Sequence, residues 1–289
     1  MRARSKAEAL LVLVTFIWGS TFVVVKGALR DASPLPFITI RFTLAGVLLF
    51  LVLRGGWMSF RALAHGFVLG IFLFAGYLFQ TSGLLYTTPS KSAFITGFAV
   101  ILVPFFQTLH GFHLRKATAV GALLGLLGIY FLVMPSGMHA VNRGDLLTLI
   151  AATSFAVHIV LVGSYTRRFS YRHLVPVQIL TVGLLAASAW PLGFGGRLNW
   201  TLALIAAILV TALLPTAFAF SVQNWAQQFT PPAHTALIFA LEPVFAALSS
   251  RIVMGERFGG KIFLGSALIL SGMIISELWG GSSPSPVEG

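Results

Sequence analysis

Residues 9–29 read ALLVLVTFIWGSTFVVVKGAL, a stretch in which Lys26 near the far end is the one Asp, Glu, Lys or Arg. About 20 consecutive apolar residues form a helix that crosses the hydrocarbon core of a bilayer. The run exceeds the roughly 7–15 residues of a secretory leader's apolar core. No small-residue cleavage site precedes the next apolar run, so it reads as a retained membrane helix.

Nine similar runs follow, at roughly 35–53, 64–86, 90–110, 117–134, 145–165, 173–193, 201–226, 233–253 and 260–279. Lipid offers no partner to a backbone amide, so a spanning segment is a helix or part of a closed barrel. A barrel needs short segments of alternating polarity. These runs are continuous in Leu, Val, Ala, Phe and Gly, and they predict an all-α integral membrane protein of ten transmembrane helices. Asp31-Ala32-Ser33-Pro34, Thr87-Thr88-Pro89, Pro135-Ser136-Gly137 and Thr230-Pro231-Pro232 punctuate them, and residues 281–289 read as a disordered Gly/Ser/Pro tail.

Composition points the same way. Hydrophobic residues make up 57% of the chain and charged ones 9%, with a mean hydropathy of +0.92; a soluble domain carries about 25% charged residues. The net charge of +12 comes from bases flanking the apolar runs, as at Arg2, Arg4, Lys6 and at Arg167, Arg168, Arg172. That is the pattern of cytoplasmic loops. Basic and aromatic residues share no accessible face, which excludes a nucleic-acid partner; the lipid bilayer is the expected one. The chain has no cysteine, hence no disulfide or thiolate metal site. It lacks a His-Glu-x-x-His pair and a phosphate-binding glycine loop. No cofactor, metal or catalytic residue is expected, and an intramembrane enzyme is the weaker alternative class.

The two halves resemble each other. An offset of 137 residues lays Trp18 and Thr21 on Phe155 and His158, and Arg41 on Gln178. An offset of 143 lays Gln80 on Gln223 and Lys91 on His234, and one of 144 lays Gly121 and Gly128 on Gly265 and Gly272. Copies of five helices enter the membrane from opposite sides. The expectation is therefore two inverted repeats, residues 1–137 and 138–280, around a central cavity, the layout of many secondary transporters. One side collects ten bases and the other eight, which places both termini in the cytoplasm.

Trp18-Gly19-Ser20-Thr21-Phe22-Val23-Val24-Val25-Lys26 resembles the first-helix signature of the drug/metabolite transporter superfamily, EamA type. Arg41-Phe42-Thr43-Leu44-Ala45, Tyr86-Thr87-Thr88-Pro89-Ser90-Lys91, Leu241-Glu242-Pro243-Val244 and Gly255-Glu256 resemble its later motifs in order. His158 departs from it, standing where an apolar or aromatic residue is usual, and Arg251 is unusual near the end of its helix. The resemblance implies a ten-helix, five-plus-five exporter of metabolites or drugs in a bacterial inner membrane. Within the superfamily the YddG-like aromatic amino-acid exporters are the nearest type. A multidrug or other metabolite exporter is the alternative.

Ionisable groups within a bilayer cost about 2.5–3.5 kcal/mol each on insertion scales, so each is a functional candidate. Arg41 suits a carboxylate, which a guanidinium holds bidentately. Glu242, followed by Pro243, suits a proton, a cation or a substrate ammonium, or else an ion pair with Arg41 or Lys91. Gln80, Gln223 and Gln178 offer amides, Trp18 and Tyr77 aromatic surface, and Thr21 and His158 polar groups near the midplane. Lys91 lies on the outer side, for a ligand or for lipid headgroups. The expected partners are a small amino-acid-like molecule and protons. Gly121, Gly125, Gly128, Gly265 and Gly272 are assigned to close helix packing.

Overall fold

In a computed structural model the described residues are 2–53, 58–108, 116–133, 142–192, 196–257 and 259–280. The proposed tail at 281–289 and the turn at Pro135-Ser136-Gly137 lie outside them. The described residues are helical, with one isolated antiparallel bridge, Ala32 to Leu198. The helices are α1 (Arg2–Ala28), α2 (Pro34–Val52), α3 (Phe60–Gly83), α4 (Pro89–Gly97), α5 (Ala99–Thr108), α6 (Lys116–Val133), α7 (Arg143–Tyr165), α8 (Tyr171–Ala189), α9 (Leu202–Ala212), α10 (Ala219–Ala226), α11 (Pro232–Phe239), α12 (Glu242–Met254) and α13 (Gly260–Gly280). Among the described residues seven helical stretches are long and apolar enough to cross a membrane, α4 with α5 and α9 through α10 each counting as one.

Sequence sets the helix ends. Thr88 caps α4 through its hydroxyl, with Pro89 in the first turn, where its missing N–H costs nothing. Asn142 and Asp145 form a capping box on α7. Gly255 ends α12 at φ 66°, the left-handed geometry glycine adopts without penalty. Three apolar runs are interrupted: at Phe98 between α4 and α5, at Ala240 and Leu241 between α11 and α12, and at a π-helical turn, Leu213–Phe218, between α9 and α10. Pro215 lies in that turn, and proline there removes a backbone donor.

Small residues set the closest crossings, because backbones approach only where no Cβ intervenes. A Cβ on Gly128 would lie 2.6 Å from the Gly265 carbonyl oxygen, and one on Gly272 would lie 2.5 Å from that of Gly121. This crossing joins α6 to α13. At the α2–α8 crossing Gly46 abuts the backbone of Leu180, and Gly183 abuts Thr43. Gly19 of α1 lets the Glu242 carbonyl approach from α12. Leu, Val and Ile side chains such as Leu51, Val52, Leu123, Leu202 and Ile252 remain exposed on the outside, a surface that suits lipid rather than water.

Polar ties gather the helix ends into two sets. In one set Lys91 meets Asp145 at 2.7 Å. Thr88, Ser90 and Ser250 donate to Glu256, and Thr201 donates to Asp31 at 2.8 Å. The other set holds Glu8 with Arg4 and His234, at 2.8 and 3.1 Å.

Candidate functional site

Between these two sets of ends lies a cavity with about 810 Å³ of atom-free space, its mouth included. Eight of the ten residues singled out from the sequence line it: Trp18, Thr21, Arg41, Tyr77, Gln80, His158, Gln223 and Glu242. The other two do not. Lys91 turns instead to Asp145, which also accepts from the Thr87 hydroxyl at 3.2 Å. Gln178 stands behind His158, its Oε1 2.7 Å from Nε2 of the ring. An amide at that depth needs a partner, and it finds protein.

Arg41 is 2% exposed. Its Nε donates to the Thr216 hydroxyl at 2.8 Å. That hydroxyl donates its one proton to the Thr211 carbonyl at 2.7 Å, so only a lone pair is left for Arg41. The guanidinium carbon lies 5.0 Å from the Phe42 ring centre and 4.9 Å from that of Tyr77, favourable cation–π distances. No carboxylate pairs with it among the described residues. Glu242, half-buried at the start of α12, likewise has no ion pair or hydrogen bond from its carboxylate among them. The expected alternative of an internal pair between Glu242 and Arg41 or Lys91 is therefore absent from this structure.

Rings close the apolar walls. Trp18 meets Phe220 at a tilt, with ring centres 5.3 Å apart, and Phe239 edge to face at 5.0 Å, and its indole N–H donates to the Pro215 carbonyl at 2.8 Å. Tyr77 meets Phe155 at 5.4 Å and Phe220 at 6.1 Å. Gln80 donates to the Thr96 hydroxyl at 3.1 Å, and Gln223 to Gln227 at 3.1 Å. Sequence reasoning missed Thr216, Asn224, Gln227, Phe155 and Phe220. The signal for two of them was present: Gln223 and Asn224 fall in the last turn of one apolar run and Gln227 directly follows it, a density of amides that lipid does not favour. The site has one buried cation, one carboxylate, polar acceptors and an aromatic wall, the groups that bind an amphipathic organic ion.

Residues 5–134 and 142–278 each match the model of the EamA-like transporter family. An uncharacterized transporter of Archaeoglobus fulgidus is 38% identical over 276 residues, which cover 95% of this chain and 87% of that one. A probable amino-acid metabolite efflux pump of Escherichia coli is 26% identical over 288 residues, 94% of each chain. One crystal structure superposes with a TM-score of 0.71 at 21% identity, covering 96% of this chain and 98% of its own, so the two share a fold.

Proposed function

The chain belongs to the EamA-like transporter family, and we propose that it exports amino acids, aromatic or other large neutral ones preferred, by alternating access across a cytoplasmic membrane. The observation that carries this reading is Arg41, a buried guanidinium facing the cavity with no carboxylate counter-ion among the described residues. Such a cation calls for an anion brought by the ligand. A carboxylate fits it bidentately, while Trp18, Tyr77, Phe155 and Phe220 suit an apolar or aromatic body. The similarity to a probable amino-acid metabolite efflux pump supports the same substrate class.

Ten passes in two inverted repeats, 1–137 and 138–280, are the architecture we assign. The family model matches twice, once in each half. The crossings agree with it: Thr43 and Gly46 map onto Leu180 and Gly183 at an offset of 137, and each glycine abuts the other's partner. At an offset of 144 the Gly128–Gly265 contact maps onto Gly272–Gly121. The Trp18–Phe220 and Phe155–Tyr77 contacts exchange in the same way. Two near-equal halves can rock about a shared cavity and open it to each side in turn.

Transport in proteoliposomes tests the substrate reading. A charged hydrogen bond contributes about 1.5–3 kcal/mol, so Arg41→Ala should weaken apparent affinity for an amino acid about ten- to a hundredfold. The matching amino-acid amide lacks the carboxylate. The wild type should carry it poorly, and the variant should treat acid and amide alike. Equal losses for both substrates would make Arg41 a structural residue and move the site elsewhere.

A further inference from the structure

Two buried amide relays run toward the cavity, each anchored on a group that can only accept a hydrogen bond. In the first the Phe220 carbonyl accepts from Asn224 Nδ2 at 3.0 Å. Oδ1 of Asn224 therefore accepts from Gln178 Nε2 at 3.1 Å, and Gln178 turns its Oε1 to His158 Nε2 at 2.7 Å. Since that oxygen carries no proton, Nε2 of the ring must donate. No carboxylate pairs with His158 among the described residues, and an unpaired charge is costly in such a site. The ring is therefore neutral, and Nδ1 bears a lone pair.

The second relay repeats the logic. The Ile159 carbonyl accepts from Gln227 Nε2 at 3.1 Å, and Gln227 Oε1 accepts from Gln223 Nε2 at 3.1 Å. Gln223 Oε1 is left buried without a partner among the described residues. His158 Nδ1 also has none among them. Both side chains line the cavity. The wall built from α7 and α10 thus offers lone pairs, and Arg41, which lines the same cavity, offers protons.

We infer that the first relay fixes His158 as its Nε2–H tautomer, and that His158 Nδ1 is a subsite for an N–H or O–H donor on the substrate's apolar body, with Gln223 Oε1 a second acceptor in the cavity lining. The ring packs edge-on to Phe220 at 6.0 Å, which places that donor among aromatic surfaces. Resting on the reading that this cavity holds the substrate, the inference narrows its class to carboxylates with an indole or phenol body rather than a bare hydrocarbon one. Asn224 is then a positioning residue, acting through Gln178.

The test compares tryptophan with 1-methyl-tryptophan, whose ring nitrogen has no proton. Leaving a buried acceptor unpaired should make the wild type favour tryptophan about tenfold in apparent affinity. His158→Phe should abolish that preference while keeping the Arg41-dependent distinction between acid and amide. Asn224→Leu, which frees the Gln178 amide to flip, should do the same, whereas a merely structural change would weaken both analogues alike. Histidine nitrogen NMR on the full-length protein, with His158→Phe identifying the signal, reads the tautomer without any transport. A ring protonated at Nδ1, or equal transport of the two analogues with the acid–amide distinction intact, overturns the inference and leaves the carboxylate site standing. Loss of the acid–amide distinction in the wild type overturns the cavity reading itself.

Discussion

A guanidinium drawn out of water gives up a large hydration energy, and Arg41 recovers part of it from Thr216, Phe42 and Tyr77. None of those partners carries a negative charge. Glu242, on the same cavity, has no partner among the described residues, and a carboxylate so placed is the first candidate to carry a coupled proton. Glu242→Gln keeps the shape but holds no exchangeable acid. Wild-type efflux should speed up under an imposed pH gradient, while the variant should run at one rate with and without it and still bind substrate. An equal gradient response in the two proteins would move coupling to another residue. Arg41, Glu242 and His158 were legible in the sequence because a titratable group stands out against an apolar run. Thr216 was not. Hydroxyls in helices often bond back to the preceding turn, as Thr211 does to Ala207 and Thr230 to Ala226. Thr216 bonds back as well, to Thr211, and the sequence does not separate it from those whose free lone pair no distant side chain uses, as Arg41 uses that of Thr216.

At the level of helices, apolar run length located the elements well, because lipid demands uninterrupted helical hydrogen bonding over a fixed thickness. The interruptions escaped that logic. Pro104 and Pro176 sit inside α5 and α8 without ending them, Pro215 lies in a π-helical turn, and Pro243 lies in the first turn of α12. What a proline does depends on which neighbour donates to the freed carbonyl, here the Thr216 hydroxyl to that of Thr211, four residues before Pro215. The glycines are the reverse case: of those assigned to packing from sequence, Gly125, Gly128 and Gly272 sit where a Cβ has no room, the last two against the Gly265 and Gly121 carbonyls. Gly128→Leu would push side-chain atoms into the Gly265 carbonyl and Ile269. Overpacking of this kind costs roughly 1–3 kcal/mol. The melting midpoint in detergent should drop by several degrees, with the order of substrate preference unchanged in whatever fraction folds. Normal stability with altered preference would place α6 and α13 at the substrate instead.

For the whole molecule, the question is which face of the protein is which. The ends of α1, α3 and α12 and the starts of α4, α7 and α9 are joined by one set of polar ties: Lys26 to the Leu84 and Thr87 carbonyls, Lys91 to Asp145, Thr88 to Glu256, and Thr201 to Asp31. Glu8 near the start of α1 and His234 near the start of α11 lie with the other set. A chain crossing once per apolar run puts every one of these ends on the face where its ties are, whereas dropping a single pass would strand all later ends opposite their partners. The basic loops then orient the assembly, since Arg2, Arg4, Lys6, Arg167, Arg168 and Arg172 fall on the face that holds Glu8. Positive charge of this kind is retained in the cytoplasm. We therefore expect a reporter fused after Ser136, between α6 and α7, to signal the far side of the membrane, and one fused after Gly280 to signal the cytoplasm. Alkaline phosphatase and green fluorescent protein fusions at both points measure this, the first active only outside the cytoplasm and the second fluorescent only within it. Like signals at the two points would break the odd number of passes between them, and the inverted relation of the halves would fail with it.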